Sequence, residues 1–377
     1  MKNQYELAAY YFPNYHIDPV NEKRHGQGWS EWRLVKSATS RFEGHRQPRI
    51  PAWGYEDEAD PGVMEKKIDA AASHGISAFI FDWYWYDGGS FLQKCLDEGY
   101  LKANNNHRVK FSLMWANHNW LELFPARKNA APKLYSSGSV HEEEFIRLTN
   151  HIIESYFSHP SYWRVNGGLY FSIYELMGLV KDLGGIGNTA RVLKDFRTRV
   201  KAAGYGELHL NAVVWGIQVL PGETGASNPE EMVEALGFDS VTSYVWMHHV
   251  EMKNFPKTSY AWCREEVFKE FEKFMKNYTV PYFPNVTMGW DSSPRTVQSE
   301  VFEKTTYPYV ATLDGNTPEE FEKSLLQAKT LLDRVPDNQR ILTINAWNEW
   351  TEGSYLEPDT VYGMKYLEAI RKVFMGG

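Results

Sequence analysis

ILTINAWNEWTEGSYLEPD, residues 341–359, is the stretch from which the rest of this chain is interpreted. It begins with a run of apolar and β-branched residues, 341–344, that is typical of a strand buried in a parallel sheet. Polar and aromatic residues follow at once, and no glycine or proline interrupts positions 345–352. We therefore expect Glu349 and Glu352 to lie on one helical turn, where side chains at this spacing share a face.

The two carboxylates stand among indole rings. A Glu-x-x-Glu pair on its own is usually only a solvated helix face. Here the pair follows a predicted buried strand and is flanked by Trp347 and Trp350, which favours a functional role. Aromatic walls exclude water and raise the pKa of one acid while the other stays ionised. The stretch therefore indicates acid–base chemistry on a sugar, with Glu349 and Glu352 as the catalytic candidates.

The composition of the chain restricts its class. Its 377 residues, 43% of them hydrophobic and 23% charged, suit a soluble globular protein of α/β-barrel size. The net charge of −8 argues against nucleic acid or an anionic membrane as a partner, since both require a basic surface. Aromatic residues make up 15%, more than a core needs, and rings with polar neighbours are typical of carbohydrate sites. We expect an oligosaccharide or polysaccharide substrate.

Two features bear on the cellular compartment. Cys95 and Cys263 fall in predicted helices without a disulfide framework or metal-ligand spacing, so we expect unpaired structural thiols. Residues 1–4 lead directly into a predicted strand, which argues against a signal peptide, and no apolar run approaches the length of a membrane-spanning helix. We expect no membrane insertion and a protein that is either cytoplasmic or has lost a leader.

Strands and helices alternate along the chain. Strict alternation implies parallel strands and right-handed crossovers, and eight units predict an α/β fold of the (β/α)8 TIM-barrel type. We expect one domain, residues 1–377, in which residues 17–60 form a long ordered loop after the first strand. A doubly wound sheet is the alternative, but the glycine-rich phosphate loops typical of it are missing. The predicted strands are 7–12, 78–81, 109–114, 169–173, 208–214, 240–244, 282–286 and 341–344, and the predicted helices are 61–74, 91–101, 142–156, 189–202, 229–235, 262–276, 318–332 and 362–374.

Clusters of polar and aromatic residues come just after nearly every predicted strand. In a (β/α)8 barrel the active site is built at that end of the strands. Carboxylates, amides and imidazoles there would bind sugar hydroxyls, although packing explains many of these residues equally well. The predicted substrate-binding residues are Tyr11, His16, Trp29, Glu31, His45, Gln47, Asp82, Trp83, Trp85, Trp115, Asn117, His118, Tyr244, Trp246, Trp290, Asn345, Trp347 and Asn348.

Other chemistries find less support in the sequence. His118 and the pair His248 and His249 form only a weak set of metal ligands, and we expect neither a metal nor a cofactor. A Ser/His/Asp hydrolase would need a G-x-S-x-G elbow, which the chain lacks.

Four motifs resemble the family-99 glycoside hydrolases and their WbsX-like relatives, which are often described as polysaccharide-biosynthesis glycosyltransferases. The first is NAWNEWTEGSYLEPD, residues 345–359. The others match the WbsX-like group: AYYFPNYH at 9–16, GWSEW at 28–32 with GHRQP at 44–48, and WANHNW at 115–120. Together they span nearly the whole chain in matching order.

The resemblance implies a (β/α)8 barrel and a retaining glycosidase acting on α-mannoside-type linkages. It further implies that Glu349 is a base on the sugar's own 2-hydroxyl, which gives a 1,2-anhydro sugar. Glu352 would protonate the leaving oxygen and then activate water, without a metal or cofactor. The chain departs from the WbsX-like pattern at His118, where glutamate is common, and this bears on the identity of the substrate.

Two competing hypotheses remain open at the level of sequence. A glycosyltransferase would need a nucleotide-diphosphate site, usually with a D-x-D metal motif, and the chain contains none. A non-catalytic sugar-binding barrel would share the aromatic walls but would not direct the two glutamates at the anomeric carbon.

Overall fold

Parallel strands close into a barrel in the computed structural model, which describes residues 4–376. Nine such strands occur in this part of the chain, in the order β7-β6-β5-β4-β3-β2-β1-β9-β8. The predicted α/β barrel is confirmed. Residues 1–3, which make up most of the segment that we expected to lead into the first strand, lie outside the described residues, as does Gly377. The strands are β1 Glu6–Tyr11, β2 Ala78–Tyr86, β3 Lys110–Trp115, β4 Gly168–Ile173, β5 Leu208–Val213, β6 Ser240–Thr242, β7 Tyr282–Phe283, β8 Asn285–Thr287 and β9 Ile341–Asn345.

The seventh position of the barrel is divided between two strands. We predicted one strand at 282–286, whereas Pro284 separates β7, which pairs with β6, from β8, which pairs with β9. Proline has no N–H to donate to a neighbouring strand. Its carbonyl still accepts a hydrogen bond from the Thr343 amide at 3.0 Å, so the two short strands together complete the ring.

Helices surround the barrel and begin where sequence signals place them. Asp60 and Thr317 cap the helices Pro61–Ser73 and Pro318–Leu332 through their side chains, and each of these helices has proline at its first position, which needs no N–H partner there. The bounds are α1 Pro19–His25, α2 Trp32–Ser37, α3 Pro61–Ser73, α4 Glu142–Ser155, α5 Leu176–Asp182, α6 Ile186–Ala202, α7 Pro229–Leu236, α8 Tyr260–Asn277, α9 Pro318–Leu332 and α10 Lys365–Phe374. None of the helices in residues 4–376 is long and apolar enough to cross a membrane.

The predicted helix at 91–101 is wrong. Strand β2 continues to Tyr86, turns at Asp87 and Gly88, which both have positive φ, and pairs antiparallel with Gly89–Phe91. A π-helical turn, Cys95–Tyr100, follows, and α3 packs against it. The aromatic run after Asp82 therefore belongs to a strand, where successive side chains point to opposite faces.

The loop after β1 is more regular than predicted. It contains α1 and α2, and it buries Trp29, Glu31 and Trp32. Its contacts reach the segment that follows the last strand: the Ala52 amide donates to the carbonyl of Pro358, and Glu31 contacts Thr351. The loop thus covers the carboxyl ends of the strands.

Candidate active site

A small cavity of about 70 Å³ lies at the carboxyl ends of the barrel strands. Its walls are aromatic and its polar groups converge from several strand ends, as expected for this fold. Both predicted catalytic acids, Glu349 and Glu352, line the cavity. The lining of the cavity includes Phe12, Asp82, Tyr84, His118, Phe124, Tyr174, Tyr244, His248, Trp290, Arg295, Glu349 and Glu352.

The backbone that carries the two acids differs from the predicted single helical turn. Asn348–Glu349 pairs antiparallel with Ser354–Tyr355, and Trp350–Glu352 forms a 3₁₀ turn between them. Gly353 ends this turn with φ of 66°, and a Cβ there would lie 2.7 Å from Cβ of Asp291. Only glycine fits this close approach. The tight hairpin still directs both carboxyl groups into the cavity.

Glu349 and Glu352 are buried, with exposed fractions of 4% each, and their carboxyl groups are neighbours that influence each other's pKa. Burial raises the pKa of Glu349 well above its ordinary value, and the charge of Glu352 raises it further. Burial also raises the pKa of Glu352, although Arg295 opposes that shift. Two neighbouring carboxyl groups in a dry site resist ionising together, which favours a proton shared by the pair.

Arg295 is the cation that holds the two acids together. It forms an ion pair with Glu352, its Nη2 lies 3.6 Å from Oε1 of Glu349, and its Nε donates to Oε1 of Glu31 at 3.0 Å. Tyr307 adds a hydrogen bond from its hydroxyl to Oε1 of Glu352 at 2.5 Å. The guanidinium therefore stabilises charge on Glu352 more directly than on Glu349.

A second set of groups fixes the backbone of Glu352. Asp291 accepts hydrogen bonds from His45 Nε2 at 2.8 Å and from Gln47 Nε2 at 2.7 Å, and its own amide donates to the carbonyl of Glu352 at 2.5 Å. Arg49 donates to the carbonyl of Gly353 at 3.0 Å. His45 and Gln47, predicted to bind substrate, thus lie one layer behind the acids.

A buried ion cluster supports the other acid. Lys67 lies 2.6 Å from Glu58 and 2.6 Å from Glu357. Asn348, next to Glu349, donates to Glu58 Oε1 at 2.8 Å and exchanges two hydrogen bonds with the backbone of Phe12. Tyr11 also donates to Glu58, at 2.9 Å. The predicted ligands Tyr11 and Asn348 therefore contact this cluster and do not line the cavity.

The structure places six of the predicted residues on the cavity wall: Asp82, His118, Tyr244, Trp290, Glu349 and Glu352. His118 is half-buried and packs edge-on against the rings of Tyr84 and Tyr174, and desolvation lowers its pKa to about 4, so it presents a neutral imidazole. The indole N–H of Trp290 has no partner within residues 4–376, and it is a free donor for a ligand.

Four predicted tryptophans point away from the cavity. Trp83 and Trp115 are neighbours in register on β2 and β3 and face outward: Trp83 stacks on Trp85, and Trp115 packs on Phe145 of α4. Trp85 donates to Glu144, also on α4. Trp246 stacks on Tyr260 of α8, and its N–H donates to the carbonyl of Asn285. These rings join the barrel to its helices.

The remaining predicted residues lie in the surrounding layer. Trp29 backs the cavity wall by packing edge-on against Phe124, and Glu31 contacts Arg295 as described. Asn117 joins two loops by a pair of 2.7 Å hydrogen bonds with the backbone of Glu175. Three further residues are buried outside the cavity wall: His16, Asn345 and Trp347.

Sequence reasoning missed four residues that complete the site: Tyr84, Tyr174, Arg295 and Tyr307. The signal for Tyr84 was available, because Asp82 facing inward on a strand requires Tyr84 to face inward as well. Arg295 follows Ser-Ser-Pro in the loop after β8 and has no local pattern that would identify it. Tyr307 lies still further along the same connection.

Glu223 anchors one wall of the cavity. Its Oε2 accepts the amides of Val219 at 2.9 Å and Leu220 at 2.8 Å, and its Oε1 accepts the hydroxyl of Tyr174 at 2.6 Å. These three partners line the cavity. His248 Nε2 lies 3.9 Å away. The carboxyl group therefore holds the loop after β5 against the site.

We expect the substitution Glu223→Gln to flatten the pH dependence of stability. Burial raises the pKa of Glu223 to about 7. Its contribution to stability is therefore fully present below the ordinary glutamate pKa and is lost as the pH rises through 7. For this shift the loss between pH 5 and pH 8 is about 2 to 3 kcal/mol. Glutamine keeps an acceptor for the two amides and does not ionise. Urea denaturation at both pH values measures the effect, and equal losses in the two proteins would contradict it.

Comparison with solved structures defines the class of barrel. The chain resembles the family-99 endo-α-mannosidase of Bacteroides thetaiotaomicron with a TM-score of 0.57 and 14% identity, covering 98% of this chain and 96% of that one. It also resembles a glycoside hydrolase-like protein with a TM-score of 0.62 and 14% identity, covering 99% and 94%. A family 1 β-glucosidase of Thermotoga maritima gives a TM-score of 0.51 at 12% identity over 100% and 99%. At these identities the likeness establishes the fold alone: a (β/α)8 barrel of the kind found in glycoside hydrolases.

The sequence then specifies the family. The model described as Glycosyltransferase WbsX matches residues 7–370, and this chain belongs to that family. It is 28% identical over 373 residues to the uncharacterized protein WxcX of Xanthomonas campestris pv. campestris strain B100, and equally to that of strain ATCC 33913. The match covers 97% of this chain and 49% of each relative, so the chain spans about half the length of the curated relatives it matches.

Proposed function

We propose that this protein is a retaining glycoside hydrolase that cleaves an α-mannoside-like or related linkage in a bacterial or host glycan. The observation that carries the proposal is the buried pair Glu349 and Glu352, two neighbouring acids that both contact a single guanidinium at the wall of an aromatic cavity. General acid–base catalysis of glycoside cleavage needs two carboxyl groups that hold different protonation states at one pH. A buried pair sharing a proton provides them.

The proposed reaction has two steps, with roles assigned by the family resemblance. Glu349 removes the proton of the sugar 2-hydroxyl, the 2-oxygen bonds to the anomeric carbon, and the bond to the leaving oxygen breaks as Glu352 protonates it. The product of this step is a 1,2-anhydro sugar. Glu352 then takes a proton from water as the water oxygen attacks the anomeric carbon, the bond between that carbon and the 2-oxygen breaks, and Glu349 returns its proton to the 2-oxygen. Two displacements at one carbon retain its configuration.

The groups around the pair support both protonation states that these steps require. Arg295 and Tyr307 stabilise a charge on Glu352, whereas the Tyr244 hydroxyl, 3.0 Å from Oε2, stabilises a charge on Glu349. The first step begins with the proton of the pair on Glu352, which acts as the acid, and with Glu349 ionised as the base.

A larger cavity supports an oligosaccharide substrate. It has a volume of about 810 Å³ and shares Val219 and Trp290 with the small cavity, while Tyr307, which donates to Glu352, also lines it. Its lining mixes apolar side chains such as Met252 and Val310 with amide, hydroxyl and charged groups. Cavities of this size and character hold ligands of several rings. We assign it to sugar units beyond the scissile bond.

We expect filling of the larger cavity to affect long substrates selectively. The substitution Val310→Trp should raise KM for an α-linked tetrasaccharide by roughly tenfold. The indole ring would occupy space that the substrate needs and would remove contacts worth about 1.4 kcal/mol of binding free energy. KM for an aryl monosaccharide should stay within twofold. Val301→Trp is the matched control, since Val301 is 72% exposed and lines neither cavity. Initial rates on both substrates measure the effect, and an equal change in both KM values would contradict it.

The test of the proposed function separates it from the two competing hypotheses. The protein is incubated with a library of α-linked oligosaccharides, including α-mannan fragments and bacterial glycans, and the products are identified by mass spectrometry. Cleavage without any nucleotide sugar supports the hydrolase. Calorimetric binding of a nucleotide sugar, with transfer of its sugar and no cleavage, would support the glycosyltransferase that the family description suggests. Tight binding of a glycan that survives unchanged would support a binding protein.

A further inference from the structure

Asp82 is a third buried carboxyl group in the cavity, and its surroundings differ from those of the two glutamates. It is 3% exposed and forms no ion pair with any described residue. Its Oδ1 has no hydrogen-bond partner within residues 4–376. Its Oδ2 lies 2.9 Å from the Tyr244 hydroxyl, which is its one polar contact in that range. An ionised carboxylate in such a place would keep one oxygen wholly unsolvated, which costs several kcal/mol.

Tyr244 connects this acid to Glu349. The phenolic oxygen lies 2.9 Å from Oδ2 of Asp82 and 3.0 Å from Oε2 of Glu349, and Tyr244 is buried in the cavity wall with 8% of its surface exposed. A hydroxyl carries one proton, and it therefore donates one full hydrogen bond. Two short contacts to acceptor oxygens are both satisfied only when one of the two acids carries a proton and donates it to the phenolic oxygen.

The environment decides which acid carries it. Glu349 has Arg295 Nη2 at 3.6 Å and is thereby stabilised as an anion, whereas no described cation lies within ion-pairing distance of Asp82. Burial raises the pKa of Asp82 well above its ordinary value. The groups that face Asp82 and Glu349 from the surrounding elements are Tyr10, Tyr84, Tyr174, Tyr244, Arg295 and Glu352. Arg295 is the cation of this set and lies on the Glu349 side.

We infer that Asp82 carries a proton at neutral pH and donates it to Tyr244, whose hydroxyl in turn donates to Glu349 and keeps that glutamate ionised. Asp82 is thus a positioning residue that acts on Glu349 through Tyr244. Its consequence for catalysis rests on the proposed function, because an ionised Glu349 is what the proposed base requires. The location of the proton does not rest on it.

The location of the proton can be measured without turnover. Protein labelled with ¹³C at aspartate side-chain carboxyls is titrated by NMR, and the Asp82 signal is assigned by its loss in Asp82→Asn. The expected result is a protonated carboxyl at pH 7 that ionises only in the alkaline range. The substitution Tyr244→Phe is expected to shift this titration and that of Glu349, observed in glutamate-labelled protein. An Asp82 carboxyl that is ionised at pH 7 would overturn the inference.

Kinetics test the consequence for the base. Asparagine offers Tyr244 an N–H donor in place of the acid proton, so Asp82→Asn should lose less of the wild-type kcat than Asp82→Ala loses. Asp82→Ala and Tyr244→Phe each break the chain of hydrogen bonds from Asp82 through Tyr244 to Glu349. Each should lower kcat roughly 10- to 100-fold with a smaller effect on KM. The alkaline limb of the pH–rate profile should move upward in Asp82→Asn, because the amide does not lose a proton. Equal losses of kcat in Asp82→Asn and Asp82→Ala would overturn the inference. Absence of cleavage by the wild-type protein would instead contradict the proposed function, with the NMR titration still deciding the position of the proton.

Discussion

Replacing either catalytic glutamate by glutamine is expected to lower kcat by roughly 10²- to 10⁴-fold, the range that a positioned acid or base contributes. Glu352→Gln removes the proton donor to the leaving oxygen and the activator of water. Glu349→Gln removes the acceptor for the 2-hydroxyl proton. Because the amide preserves shape and packing, the fold should be unchanged. Stopped assays on the oligosaccharide identified by library digestion measure the effect.

The double variant provides a sharper test of the pair. If the two glutamates act in one proton exchange, Glu349→Gln with Glu352→Gln should be little slower than the worse single variant, because groups that act as a unit are not additive. Glu207→Gln is a suitable control, since this exposed glutamate pairs with Lys201 and lines neither cavity. Losses that multiply in the double variant would contradict joint action. Single variants with wild-type rates would remove the pair from catalysis altogether.

The largest effect on stability is expected from Arg295→Met. The guanidinium is 5% exposed and contacts Glu31, Glu349 and Glu352. Removing one partner of a buried ion pair leaves uncompensated charge and costs about 3 to 5 kcal/mol. The loss should be smaller at pH 5 than at pH 8, because protonation of the acids whose pKa burial has raised relieves the uncompensated charge. Urea denaturation at both pH values measures both parts.

Two control variants isolate the cause. Arg127 is 75% exposed and lies 3.9 Å from Glu300, so Arg127→Met should change stability by less than about 1 kcal/mol. Arg295→Lys keeps the charge but loses the planar fork that reaches three carboxylates, and its stability should fall between that of the wild type and that of Arg295→Met. If Arg295→Met unfolded with the same free energy as the wild type, the three carboxyl groups that contact Arg295 would have to be neutral in the folded protein.

The barrel could be predicted because each of its elements carries a local signal. The apolar run at 341–344 and the helix at 318–332, begun by Thr317 and Pro318, occur where the sequence places them. The wrong helix at 91–101 arose from taking the aromatic run after Asp82 as the end of a strand. That run alternates in and out along β2, so Tyr84 reaches the cavity while Trp83 and Trp85 face α4. Alternation counted from Asp82 would have placed Tyr84 on the inward face and Trp83 and Trp85 on the outward face.

The site was only partly predictable, for reasons of distance along the chain. Arg295 meets Glu31 and Glu352, which are far from it in sequence, and nothing next to Arg295 indicates that it is buried. The segment GHRQP was identified by resemblance, but its contacts are with Asp291, behind the acids. Residues that position a catalytic group are chosen by the fold, because their partners come from other loops. Local patterns therefore identify the acids and miss the groups that tune them.

The central claim is that the eighth strand–helix unit delivers two acids to a glycosidic bond. The most direct measurement is a crystal structure of Glu352→Gln soaked with the intact oligosaccharide that the wild-type protein cleaves. We predict that the leaving oxygen lies within hydrogen-bond distance of residue 352 and the sugar 2-hydroxyl within hydrogen-bond distance of Glu349. A glycan bound with its anomeric carbon turned away from both residues would contradict the account.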